Sequence, residues 1–217
     1  MTADLDIFTA AVRRAKMMKE EIVKRDGVGE DLMPCLELWI DAKPWMTVHM
    51  SGDGVDHAPV IAAALAFSRC DLAVLVTEGY TVPSCDSGDT LRRGELAERF
   101  AAGDPAVVEG LVLAMFPIQG PTTLTAVAYH YDGRSVVWGD ERQADAASGR
   151  LEDAARLGYA ERVADAEQVE HRELAASLVT LPGVDAVGLF VEKPAPRNAP
   201  CPCGSGRKAK HCDHGTN

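Results

Sequence analysis

The chain has 217 residues, enough for one mid-sized domain with appendages. Apolar content of 47% and charged content of 25% are those of an ordinary globular protein, and no apolar run approaches the roughly 18 residues of a helical membrane span. The formal net charge of −11 is uneven: residues 193–217 hold five basic side chains against one acid, a balance of +4, while the remaining 17 basic and 32 acidic side chains give −15. That asymmetry argues against nucleic-acid binding by the acidic part and leaves the basic end free to meet an acidic partner.

In chain order, residues 4–26 predict a helix. Leu5, Phe8, Val12, Ala15, Met18 and Ile22 recur at three and four, forming one apolar stripe. Lys24 and Arg25 suit its C-terminal dipole and Gly27 ends it. The stripe is expected to pack on a sheet. Residues 33–40 and 45–50 alternate with period two around Asp41-Ala42-Lys43-Pro44, a hairpin signal. The Gly-rich loop at 51–59 lacks the spacing of a dinucleotide or phosphate loop and leads instead into a helix over 60–67, with Asp56 as cap and Pro59 in the first turn.

The run Leu72-Ala73-Val74-Leu75-Val76-Thr77 opens a strand over 71–82 that is apolar on both faces, as a central strand is. Residues 83–105 are polar and irregular, with a short helix at Glu95–Ala101. Three strands follow at 107–118, 122–131 and 134–139, the last two joined by the Asp132-Gly133 turn. Residues 140–180 predict two helices broken near Gly158, with Leu174 and Leu178 on an apolar stripe, and residues 187–191 a last strand. The expected fold is α+β, a mostly antiparallel sheet with helices packed on a face. Its parts are an α+β domain over 1–140, a helical extension with a last strand over 141–192, and a linker with a small C-terminal module over 193–217.

No catalytic motif stands out: there is no Gly-x-Ser-x-Gly, no His-Glu-x-x-His and no Gly-Lys-Ser/Thr phosphate loop. The body's one region with acid–base or ligand chemistry comprises His49, Asp53, Asp56 and His57, with Glu37 and Asp41 on the preceding hairpin. Loop carboxylates and a surface histidine are the plainer reading of these residues. His130 reads as a strand side chain and Cys85 as an ordinary loop thiol. The first six residues carry Asp4 and Asp6 where a signal peptide carries bases, so the expected setting is cytoplasmic and reducing, with Cys35, Cys70 and Cys85 as free thiols.

The most specific chemistry is at the end. Cys201-Pro202-Cys203, eight residues, then Cys212 with His211 and His214 beside it offers thiolates and imidazoles for one tetrahedral zinc. Pro202 fixes one φ, and Gly204 and Gly206 allow the chain to bend so that both thiols of the pair turn inward. Arg207, Lys208 and Lys210 offset the thiolate charge. So short a segment has no apolar core, so metal binding would supply its folding energy, on the order of 10–16 kcal/mol. Lys193-Pro194-Ala195-Pro196 reads as a short, stiff spacer before it.

Residues 197–215, with Arg-Asn-Ala-Pro-Cys-Pro-Cys-Gly-Ser-Gly-Arg-Lys-Ala-Lys-His-Cys, resemble the SEC-C motif, the zinc knuckle named for the C-terminus of the bacterial preprotein translocase ATPase SecA. The resemblance implies Zn2+ held by Cys201, Cys203 and Cys212 at the family's first three ligand positions. The fourth position is Asp213, a departure; His214 one residue later is the expected fourth ligand, with His211 and Asp213 as alternatives. In that family the knuckle docks proteins, so the resemblance implies a protein partner and an adaptor role and leaves the body unassigned. Weak nucleic-acid or ribosome binding through Arg197, Arg207, Lys208 and Lys210, or an enzyme in the body recruited by the knuckle, are the rival readings.

Overall fold

The computed structural model describes residues 3–41, 43–51, 56–81, 95–145, 149–162 and 171–189. In chain order the elements are α1 (Ala3–Asp26), β1 (Cys35–Ile40), β2 (Lys43–Met50), α2 (Ala58–Ala66), β3 (Leu72–Thr81), α3 (Glu95–Ala101), β4 (Val108–Pro117), β5 (Thr123–Asp132), β6 (Ser135–Asp145), α4 (Arg150–Ala160), α5 (His171–Leu178) and β7 (Val184–Leu189). The seven strands form one sheet in the order β6-β5-β4-β3-β1-β2-β7, and every neighbouring pair is antiparallel. The α+β class and antiparallel sheet expected from the sequence are what the chain adopts.

β3 occupies the centre of the sheet with β1 beside it, and both strands bury side chains on each face. Leu36 and Leu38 face α2, α4 and α5, where they join Ile61, Leu65, Ala155, Leu174 and Leu178 in one core. Cys35 and Trp39 face α1, where Ala11, Val12 and Ala15 meet Val74, Val76, Leu111, Leu113 and Met115 in a second core. Helices therefore cover both faces, and the expectation of helices on one face is corrected. The physical reason is the apolar runs of β3 (72–76) and β4 (111–116): a strand with no polar face must be covered twice. β2 and β3 both lie antiparallel to β1, so they run in the same direction and need a crossover, which α2 supplies over β1.

Several local expectations shift. β2 starts at Lys43, opposite Ile40, so the hairpin is tighter than the four-residue turn read at 41–44, with Asp41 at φ 49°. α2 starts at Ala58, and the Asp56 carboxylate accepts its N–H at 3.2 Å, so Asp56 serves the helix start without being the residue directly before it. β6 runs on to Asp145. α4 is not broken near Gly158 but continues through it to Ala160. Gly158 is instead where α4 presses on α2: a Cβ there would lie 2.6 Å from the Ala62 carbonyl oxygen and 2.8 Å from the Leu65 Cβ. The α4 end is tied to the sheet by Tyr159, whose hydroxyl donates to the Phe116 carbonyl at 2.7 Å, and by Arg162, which donates to the Cys70 carbonyl at 2.6 Å. β7 pairs with β2 from Val184 to Leu189, earlier than the residues 187–191 expected.

The helix stripe of α1 is also rotated from the expected one. Its innermost line is Ala11, Ala15, Lys19 and Val23, with the lysine as buried as the alanines. Gly27, at φ 114°, closes the helix by donating its N–H to the Val23 carbonyl at 3.1 Å.

Candidate functional site

A cation in an apolar stripe must find an anion. Lys19 reaches Glu78 of β3, its Nζ 2.6 Å from Oε1, and donates to the Glu30 carbonyl at 2.7 Å. It also stands over the rings of Tyr129 and Tyr131, 5.2 and 5.8 Å from their centroids. Burial pulls its pKa down, and the bonds to Glu78 and Tyr131 more than offset this, holding it above the ordinary lysine value. Glu78 is saturated: besides Lys19, it accepts the Tyr129 hydroxyl at 2.7 Å and the Leu32 backbone N–H.

Strand periodicity places these groups. Val74, Val76 and Glu78 share the α1 face of β3, Leu111 lies opposite Glu78, and Glu109 lies opposite Tyr80. On β5, Val127 lies opposite Leu111, and Tyr129 follows on the same face. The connection from α1 to β1 crosses this end of the sheet. The result is a cleft of about 700 Å³ lined by residues 31–34, 77–80, His57, Glu109 and Tyr129. Burial, assisted by the charges of Glu78 and Asp31, raises Glu109 above the usual carboxylate range, against the pull of Lys19. Burial and the bond to Glu78 push the Tyr129 phenol far above its usual range, so it remains a donor. Burial lowers the pKa of His57, against the charge of Asp56, and its Nδ1 is enclosed without a hydrogen-bond partner.

The body residues singled out from sequence do not converge. Only His57 enters the cleft. His49 lies half-buried between Cys35 and Ala186 in the sheet, lowered by burial with Asp185 pulling the other way. Asp56 is bonded to Arg150 as well as to the α2 start. Asp41 lies exposed in the hairpin turn, and His130 is exposed on β5. Asp53 and Cys85 lie outside the described residues. Glu37 is fully buried beneath α1 and paired with Arg14. Burial raises its pKa and Arg14 draws it back. What the sequence reading missed is Lys19, Glu78, Glu109 and Tyr129. The available signal was a lysine on the apolar line of a helix and a glutamate directly after an apolar strand core.

Among the described residues no group of three or more His, Cys, Asp or Glu is placed to hold a metal ion, and none of their helices is long and apolar enough to cross a membrane. Cys201, Cys203, Cys212 and His214, with the alternatives His211 and Asp213, lie outside the described residues. As a donor set, three thiols and an imidazole fit zinc in its tetrahedral N/S coordination. No curated protein and no solved structure matches the chain. The family model of the SEC-C motif matches residues 197–215, so the chain carries at that end a motif of a typically zinc-binding type.

Proposed function

We propose that this protein is a zinc-dependent docking protein: an acidic α+β body of the cytoplasm that meets a protein partner through the knuckle at residues 197–215. The single observation that carries the reading is the SEC-C match over those residues. Cys201, Cys203, Cys212 and His214 hold the Zn2+, and the metal makes the segment a rigid surface in place of a basic coil. Zinc supplies folding energy here, and no bond-making step is assigned to it. The knuckle of +4 beside a body of −15 favours an acidic patch on the partner. The same charge favours a second reading, contact with ribosomal or other RNA through Arg197, Arg207, Lys208 and Lys210. With so few phosphate contacts, that binding would be weak and steeply salt-dependent. An enzyme built on His49, Asp56, His57, Glu37 and Asp41 has no support, because those side chains are scattered through separate bonds.

Metal analysis of purified protein should find about one zinc per chain, with Cys201→Ser and chelated protein at background. Pull-down with intact protein should retain a partner that the Cys201→Ser chain loses. A metal-free chain with an unchanged partner set sinks the reading. Ribonuclease-sensitive capture moves it to the second one.

A further inference from the structure

We propose that the sheet beneath α1 binds one ordered water molecule, held between the Glu37 carboxylate, the Thr47 hydroxyl and the Trp39 indole N–H. All three residues are enclosed, with 0%, 3% and 3% of their surface exposed. Each also keeps a polar atom that no other protein group meets in hydrogen-bonding geometry: Oε2 of Glu37, Oγ1 of Thr47 and Nε1 of Trp39. An enclosed polar atom without a partner is costly, and folded chains keep few of them. Three in one place point to a shared partner.

The sheet brings them together. Glu37 lies opposite Thr47 across β1 and β2, so both side chains stand on the face that α1 covers, with opposed Cβ atoms about 4.5–5.5 Å apart. Trp39 follows Glu37 by two residues and belongs to the same core beneath α1. Its ring is close enough to draw the Glu37 pKa down, yet Nε1 is aligned on neither carboxylate oxygen.

The remaining neighbours offer nothing polar. Val74 of β3 lies on the other side of Glu37, and Gly188 of β7 on the other side of Thr47. Gly188 brings no side chain: among the described residues, a Cβ there would meet nothing nearer than the Thr47 carbonyl oxygen at 3.9 Å. Arg14 serves the other carboxylate oxygen of Glu37, Oε1.

Water fits this set of groups. It donates to Oε2 and to Thr47 Oγ1 and accepts the N–H of Trp39, which makes about three bonds, the usual number for a buried water. Two hydrogen bonds of about 2.8 Å each span the separation of opposed side chains. A metal ion is the poorer occupant. The indole N–H has no lone pair to give it, and among the described residues no three ligating side chains converge.

The test is a crystal structure of the full chain at a resolution that shows ordered solvent. A water should lie within about 3.2 Å of at least two of the three atoms. Direct bonds among Glu37, Thr47 and Trp39 with no water between them overturn the proposal, and so does a metal ion at that place. Urea denaturation of Thr47→Val adds a test by sign. An orphaned buried hydroxyl is a burden, so its removal would leave the chain as stable or more stable. A hydroxyl that holds the water makes the same change lower the folding equilibrium constant about fivefold. A Thr47→Val chain at least as stable as the parent therefore overturns the proposal too.

Discussion

At the scale of single residues, the buried charges of the body are matched by partners rather than avoided. Glu37 is fully buried and its partner Arg14 comes from α1. Removing the arginine strands a carboxylate in the core, so Arg14→Ala should cost about 3 kcal/mol near neutral pH. The sign with pH follows from the direction of the shift. Burial holds the folded Glu37 above its unfolded pKa, so the folded state keeps the proton over that window. Its contribution to stability is most favourable below the unfolded carboxylate pKa and declines as pH rises towards the folded one. Without Arg14 the folded pKa climbs further and the decline extends to higher pH. Urea denaturation at pH 8 and pH 5 should show a larger loss at pH 8; equal losses would mean that Arg14 acts through packing alone. The body thiols give a second check. Burial pushes Cys35 up to about 12 and Cys70 up to about 11, and both side chains are enclosed. A thiol reagent at pH 8 should leave both unmodified in peptide mass spectra until the chain is unfolded.

At the scale of elements, the notable contact is helix against helix on the face away from α1. Gly158 lets α4 reach the backbone of α2, and the nearest atom a side chain would strike is a carbonyl oxygen that belongs to helix hydrogen bonding. Gly158→Ala should gain about 1 kcal/mol in helix propensity and lose about 1–3 kcal/mol to overpacking, for a net fall in stability. Gly149→Ala, where nothing lies within 4 Å, should cost no more than about 1 kcal/mol, the loss of a tolerated N-cap residue. Paired thermal melts decide this, and a stabilised Gly158→Ala chain would show that α4 moves freely on α2. The same element shows what a sequence can mislead about. A glycine in a helical pattern reads as a break, because propensity counts only what it costs. Its use here lies in a neighbour more than ninety positions earlier in the chain, which periodicity does not see.

At the scale of the whole molecule, the proposed docking function gives the body and the C-terminal motif separate sources of order. The two apolar cores are composed of residues from α1 through β7, whereas the proposed knuckle at 197–215 would take its folding energy from zinc. Cys201→Ser should abolish zinc binding and move the body's melting transition by less than about 2 °C. A large shift would show that the knuckle is part of the body's fold. The strand pattern was legible because alternation and apolar runs are local: β1, β3, β4 and the Asp132-Gly133 turn can be read directly. The SEC-C motif was legible for a similar reason, since its three cysteines lie within a dozen residues of one another.

The sequence by itself determined the class of fold, the antiparallel strands, the acidic body and the zinc-type motif at its end, because each is written in short-range spacing or in composition. The tertiary structure alone decided that helices cover both faces, that Gly158 is a contact, and that Glu37 belongs to Arg14. It also decided that the cleft is lined by Glu78, Glu109 and Tyr129, with Lys19 buried behind Glu78, and that of the candidates between 49 and 57 His57 alone is placed there among the described residues. The reason is distance along the chain: Lys19 and Glu78, fifty-nine residues apart, meet at 2.6 Å only because β3 lies beside β1 under α1.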